Sequence, residues 1–195
     1  MKIGSEIESA VRRGDTVYLE KNLIDSQVND VNEQSQNLLM IATYQNDYPT
    51  AAFLAKRGAD PNQQDELLNS PFLYAAASGY LDLVKLYLAY GARFDVFNRF
   101  NGTALIPAAE KGYVDVVRLL CHTKNFPINH INKLGWTALL EAVILGDGSK
   151  DYVDIVNILL KGGADKSIAD KDGVSALEHA EQKGFSDIVE ILQMY

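Results

Sequence analysis

The chain has one cysteine, Cys121, among 195 residues. No disulfide framework can hold it together. Histidine is almost as scarce, and His122, His130 and His179 are too scattered to suggest a zinc site. Long apolar runs are missing too. The opening MKIGSEIESAVRR lacks the apolar stretch of a secretory signal and no later segment approaches a membrane span, so the cytoplasm is the expected location. Cations are the minority charge, 18 Lys and Arg against 26 Asp and Glu, and the net charge is −8 without any Lys/Arg run to offset it. Nucleic acid and anionic membrane surfaces demand a basic footprint, so neither is expected as principal partner. With only 5 prolines and 47% hydrophobic residues, little interrupts the chain and much of it can be buried.

What is present is repetition. Asn98 to Leu120, NRFNGTALIPAAEKGYVDVVRLL, reads as turn, helix, turn, helix. Asn101-Gly102 is a tight-turn dipeptide, Thr103 is a candidate N-cap and Gly112 a candidate helix stop. Asp115 suits the positive end of a second helix, whose buried face is expected to be Val116, Val117, Leu119 and Leu120. Laid on itself at this register, the chain offers equivalent N-caps at Ser5, Asn37, Ser70, Thr103, Thr137 and Ser175, which recur every 32 to 38 residues. Five positions after each comes Ala10, Ala42, Ala75, Ala108, Ala142 or Ala180, small enough for two helices to approach closely. Four further on stands Gly14, Asn46, Gly79, Gly112, Gly146 or Gly184; asparagine is the residue that best tolerates the same left-handed backbone.

A period near 33 residues with openings SPFLYA (Ser70 to Ala75), TALIPA (Thr103 to Ala108), TALLEA (Thr137 to Ala142) and SALEHA (Ser175 to Ala180) resembles the ankyrin-repeat family. RGADPN at Arg57 to Asn62 and the GAD that begins at Gly163 match the closing segment of that repeat. The resemblance covers essentially the whole chain. It implies an all-α solenoid of helix-turn-helix units joined by β-hairpin-like loops, one domain over 1–195 with repeats near 1–31, 32–64, 65–97, 98–131, 132–169 and 170–195. The chain departs from the family where Met40, Leu73, Ile106, Leu140 and Glu178 replace the usual histidine of the opening. The first unit lacks the opening, and Ser5 with Glu8 reads instead as a capping box.

Two local features stand apart. In the fifth unit five residues, Asp147 to Asp151, are inserted between Gly146 and Tyr152, and their polar composition predicts an exposed loop. Cys121, equivalent to Leu88 on a second helix, is expected to be a small core residue.

Fragments that look chemical do not survive inspection. DKDG at Asp170 to Gly173 recurs in calcium loops, but the register places Ile168 and His179 where the first and last ligands belong. GDGSK at Gly146 to Lys150 lacks the spacing of a phosphate-binding loop. Asp147, Asp151 and Asp154 are together a candidate cation site, and capping and solvation of the loop account for them equally. No nucleophile, base and orienter emerge together, so neither catalysis nor a cofactor is expected.

Binding is the function the resemblance implies, through hairpin tips and the outward side of the first helices, which together form a concave surface. The matching positions that carry large or charged groups are Tyr44, Leu67, Tyr74, Arg99, Phe100, Lys133, Leu134, Trp136, Ile144 and Leu145. Phe100, Trp136, Arg99 and Tyr74 are the strongest, since rigid aromatics and arginine dominate interface hot spots. Trp136 and Phe100 have a blander alternative, folding back over neighbouring hairpins. The expected partner is another protein, with a basic surface complementary to the acidic chain, and the chain itself is expected to be a monomer. Alternatives are a dedicated inhibitor or regulatory subunit of an enzyme and, from another class, a metal-dependent enzyme using the 147–154 loop.

Overall fold

The computed structural model describes residues 2–195, which form helices, turns and isolated backbone bridges but no strand. The chain divides into two compact units, Met1–Arg99 and Phe100–Tyr195. The first contains α1 (Ser5–Arg12), α2 (Thr16–Asn22), α3 (Leu38–Tyr44), α4 (Tyr48–Lys56), α5 (Pro71–Ala77) and α6 (Leu81–Ala89). The second contains α7 (Leu105–Glu110), α8 (Val114–Cys121), α9 (Ala138–Ile144), α10 (Lys150–Lys161), α11 (Ala176–Lys183) and α12 (Ser186–Met194). Within each unit every odd helix packs on the even helix that follows it. The odd helices form one layer, α1 on α3 on α5 or α7 on α9 on α11, and the even helices form the other.

Helices of 6 to 12 residues are too short to persist alone, so the layers must supply their stability. The recurring alanines do this at the closest approach: Ala10, Ala42, Ala75, Ala108, Ala142 and Ala180 are all fully buried. Their carbonyls also end the helices. Asp15, Asp47, Tyr80, Tyr113 and Phe185 each donate a backbone N–H five residues back to that alanine, closing the turn over the left-handed Gly14, Asn46, Gly79, Gly112 and Gly184. Alanine and glycine are four apart because one bond joins the first to the residue after the second.

Four of the expected caps form: Asn37, Ser70, Thr137 and Ser175 accept from Met40, Leu73, Leu140 and Glu178 N–H, and Glu178 completes a capping box at Ser175. Two differ. Ser5 is the first residue of α1 rather than its cap, and Glu8 turns to Arg12 and Asn32 instead of back to the helix end. Thr103 is buried with an unbonded hydroxyl, and α7 starts two residues later. Pro107 accounts for the later start. Its equivalents Ile41, Tyr74, Glu141 and His179 donate to the cap carbonyl, and a proline has no N–H to give.

The insertion also departs from expectation. Gly146 is not left-handed; Gly148 takes that conformation, and Lys150 and Asp151 join α10, whose 12 residues make it the longest helix. A Cβ on Gly146 would strike the Ala142 carbonyl and come within 2.5 Å of the Tyr152 ring, while Phe185 lies across Gly148. The loop is thus pinned by two aromatics. Leu119 is only partly buried, unlike Val116, Val117 and Leu120. Cys121 is partly buried against Gly162, and burial pushes its thiol up to about 12.

Candidate partner-binding surface

Four hairpins are each built on one clamp residue. Asn32, Asp65, Asn132 and Asp170 donate their own N–H to the carbonyl four residues on, while their Oδ1 accepts the N–H groups at the second and fourth positions beyond. The residue third after the clamp must then be left-handed, and Ser35, Leu68, Gly135 and Gly173 are. Leucine at that place is strained by about 1–2 kcal/mol relative to a right-handed conformation. The clamp's other side-chain atom ties it to a helix. Asp65 accepts from the Tyr44 hydroxyl at 2.5 Å, Asn132 donates to Glu141 at 2.7 Å and Asp170 meets His179 Nε2 at 2.7 Å. Neighbouring hairpins are joined by Glu66 N–H to the Gln34 carbonyl in the first unit and Lys133 N–H to the Phe100 carbonyl in the second.

In the first unit this frame holds a row of tyrosines. Tyr44 and Tyr74 meet edge to face at 4.5 Å between centroids, and Tyr74 meets Tyr80 at 6.3 Å. All three are partly exposed. Burial and the bond to Asp65 push the Tyr44 hydroxyl well above its ordinary range, so it remains a donor to that carboxylate. Leu67 and Leu68 crown the adjacent tip. Arg99, the last residue of the unit, is exposed.

In the second unit Phe100, Lys133, Leu134 and Leu145 are exposed, whereas Trp136 and Ile144 are half-buried. Leu67, Leu68, Phe100, Leu134 and Leu145 each leave between 45% and 60% of their surface open. Lys171 lies across the left-handed Gly135, where a Cβ would come within 2.7 Å of its stem, and its ammonium donates to the Lys133 carbonyl. Behind the tip, Glu141 is only 4% exposed. Burial and then the charge of Glu110 lift its carboxyl to about 7, against the stabilising bond from Asn132.

Sequence reasoning missed Tyr80, Leu68 and the buried Glu141. Leu68 had a signal, since it stands where Gly135 and Gly173 stand in the other hairpins. It also missed the asparagines that bracket adjacent repeats. Asn29 and Asn62 each donate to a glycine carbonyl of the next repeat, Gly58 or Gly91, and accept the N–H of Asp60 or Arg93. Asn129 does the same to Gly163 and Asp165 in the second unit.

The 147–154 segment is tied by its own side chains. Asp147 accepts the Ser149 N–H at 2.9 Å and Lys150 pairs with Asp154 at 2.6 Å. Among the described residues no group of three or more His, Cys, Asp or Glu side chains is placed to hold a metal ion, and no helix is long and apolar enough to cross a membrane.

Family models of ankyrin repeats match residues 72–170 and 40–86, and with the stacked helix pairs and clamped hairpins they show that the chain belongs to the ankyrin-repeat family. The ankyrin repeat protein YahD of Escherichia coli (strain K12) is 36% identical over 166 residues, covering 85% of this chain and 82% of that one. An ankyrin repeat domain from Acinetobacter baumannii AYE shares the fold with a TM-score of 0.93 at 42% identity, over 97% of this chain and 96% of that chain. The ankyrin repeat domain of Bcl-3 shares the fold alone, with a TM-score of 0.87 at 22% identity over 100% of this chain and 87% of that chain. Ankyrin repeats are in general protein–protein interaction modules.

Proposed function

We propose that the chain is a non-catalytic binding protein that engages another protein through its hairpin tips and the outward side of its first helices. It acts as one six-repeat domain, a monomer in the cytoplasm, holding its partner as a scaffold does. The observation that carries this is the set of exposed apolar side chains on rigid tips, with Leu67 and Leu68 in the first unit and Phe100 and Leu134 in the second. From the tip itself the clamps take only backbone groups, so a polar residue would serve the turn equally, as Gln34 and Asp172 do. Because the tips are preformed, docking costs little ordering entropy and affinity follows from complementarity.

A pull-down from lysate tests the reading with wild type and a Phe100→Ala/Trp136→Ala variant whose fold circular dichroism confirms. Capture by wild type and loss by the variant is expected; equal capture would overturn the assignment of these two residues. The narrower reading, an inhibitor or regulatory subunit, predicts that the captured protein is an enzyme whose rate changes when the chain is added. A metal-dependent role for the 147–154 loop predicts thermal stabilisation by calcium. The Lys150–Asp154 pair favours indifference instead.

A further inference from the structure

We propose that the Asn132 hairpin is a proton-operated latch: a proton on Glu141 keeps the clamp shut, and its loss in the neutral range loosens the tip that displays Lys133, Leu134 and Trp136. As a control on binding the latch rests on the role proposed above; as a motion of the hairpin it is a property of the chain alone. Asn132 Oδ1 accepts the Leu134 and Trp136 N–H groups, so its amide nitrogen is turned to Glu141 and can only donate. Glu141 Oε1 takes that bond at 2.7 Å, which leaves Oε2 as the place for the carboxyl proton. Asn32 reaches a carboxyl in the same way, Glu8 at 3.3 Å, but Glu8 is half-buried and paired with Arg12. Glu141 is buried, and among the described residues no cation pairs with it. The helices packed against α9 are α7, α10 and α11. Glu110 of α7 acts on Glu141 through its charge, and it repels. On α10, Lys150 is paired with Asp154, and Tyr152 donates to the Glu110 carbonyl. On α11, His179 meets Asp170, and Glu178 is engaged in the cap at Ser175. Lys111 after α7, Asp151 and Lys161 on α10, Glu181 and Lys183 on α11 and Lys133 of the hairpin are all exposed. An ionised Glu141 thus meets a close-packed interior and a like charge. Burial first and then Glu110 outweigh the Asn132 bond and lift the carboxyl from 4.5 to about 7. The hairpin is its way to water, since α9 is held between α7 and α11 in its layer while the tip beside Asn132 is exposed. Hydration returns the carboxyl towards 4.5, so closing is favoured most below about 4.5 and loses that advantage as pH rises to about 7. The open fraction grows by up to about tenfold per pH unit in between.

Amide hydrogen exchange of the full chain, followed by NMR from about pH 5 to about pH 8 and corrected for the intrinsic exchange rate, tests this. Protection at Leu134 and Trp136 should fall by up to about tenfold per pH unit as far as about pH 7 and then level off. It should stay below the protection of Ile158 and Leu159 in the core of α10 throughout, because the hairpin opens without the rest. At Gln34 and Gln36, held by Asn32, protection should stay constant within about twofold. Glu141→Gln is neutral and keeps an acceptor for Asn132, so its hairpin protection should not vary by more than about twofold over the same range. Glu110→Gln removes the repelling charge and should bring the level stretch to lower pH. Constant protection at Leu134 and Trp136 in wild type overturns the latch, as does an equal fall in Glu141→Gln. Hairpin protection equal to that of Ile158 and Leu159 at every pH overturns it too, since only global unfolding would then release the tip. None of these results bears on the binding role, which capture by wild type and by the Phe100→Ala/Trp136→Ala variant decides separately.

Discussion

Thr43 and Tyr87 bond to each other inside the first unit, across the layers of α3 and α6, and both are fully buried. Thr43 Oγ1 lies 2.6 Å from the Leu39 carbonyl and 2.6 Å from the Tyr87 hydroxyl. The threonine has one hydrogen and the carbonyl can only accept, so Thr43 donates to Leu39 and Tyr87 donates to Thr43. Burial pushes the Tyr87 hydroxyl above its ordinary range, which keeps that proton in place. Thr43→Val preserves shape but deprives the buried phenol O–H of its acceptor, at a cost of about 1–3 kcal/mol. Tyr87→Phe removes the donor, and the threonine keeps its bond to Leu39, so the loss should be only about 1 kcal/mol. In the double variant the orphaned donor no longer exists. Its destabilisation should fall short of the sum of the singles by about 1–2 kcal/mol. Urea unfolding followed by far-UV circular dichroism, with unchanged m-values, gives the three numbers. Additive losses would refute the assigned direction of the bond and its weight in the core.

Glu141 makes stability depend on pH in a particular window. Its folded pKa of about 7 exceeds the ordinary 4.5, so the folded chain holds a proton that the unfolded chain has released between those values. That contribution is fully present below about 4.5, is lost as pH rises to about 7 and amounts to roughly 3 kcal/mol at most. Glu141→Gln should therefore be close to neutral at pH 5 and stabilising at pH 8, and equal urea midpoints for the two proteins at pH 8 would contradict this. Gly146→Ala should lower stability by about 2–3 kcal/mol through collision with the Ala142 carbonyl and Tyr152; an unchanged midpoint would mean that the loop repacks freely. Asn132→Ala removes bonds to Leu134, Trp136 and Glu141, so hydrogen exchange at the Leu134 and Trp136 amides should speed about 10-fold or more, whereas exchange in α12 should not.

The repeat was legible because its commonest constraints act through backbone geometry. A left-handed residue nine after each cap and an alanine midway leave a mark in residue type, and both marks held at five of six units or better. Where the reading failed, a local residue overrode the frame. Pro107 withheld one N–H and shifted the start of α7, and the insertion moved the left-handed position from Gly146 to Gly148. Ser5 satisfied a pattern of residue types, but the chain entered α1 at Gly4. At the surface, positions could be assigned from the repeat, yet exposure could not. Trp136 and Leu134 are two apart on one hairpin, and only the fold shows that the leucine is open while the tryptophan is half covered. The tyrosine row was hidden for another reason: Tyr44, Tyr74 and Tyr80 come from two repeats, and only packing sets their spacing.

The clamp at the base of these four hairpins has an evolutionary consequence. Asn32, Asp65, Asn132 and Asp170 grip backbone amides, so the turn keeps its course whatever side chains it displays. Glu33-Gln34, Glu66-Leu67, Lys133-Leu134 and Lys171-Asp172 occupy the same place with unrelated chemistry. Mutation there can explore new contacts without first re-solving the fold, while a change at the clamp itself alters the presentation of every residue above it. Inheritance of the scaffold and drift of its specificity are in this way assigned to different residues of the same short loop.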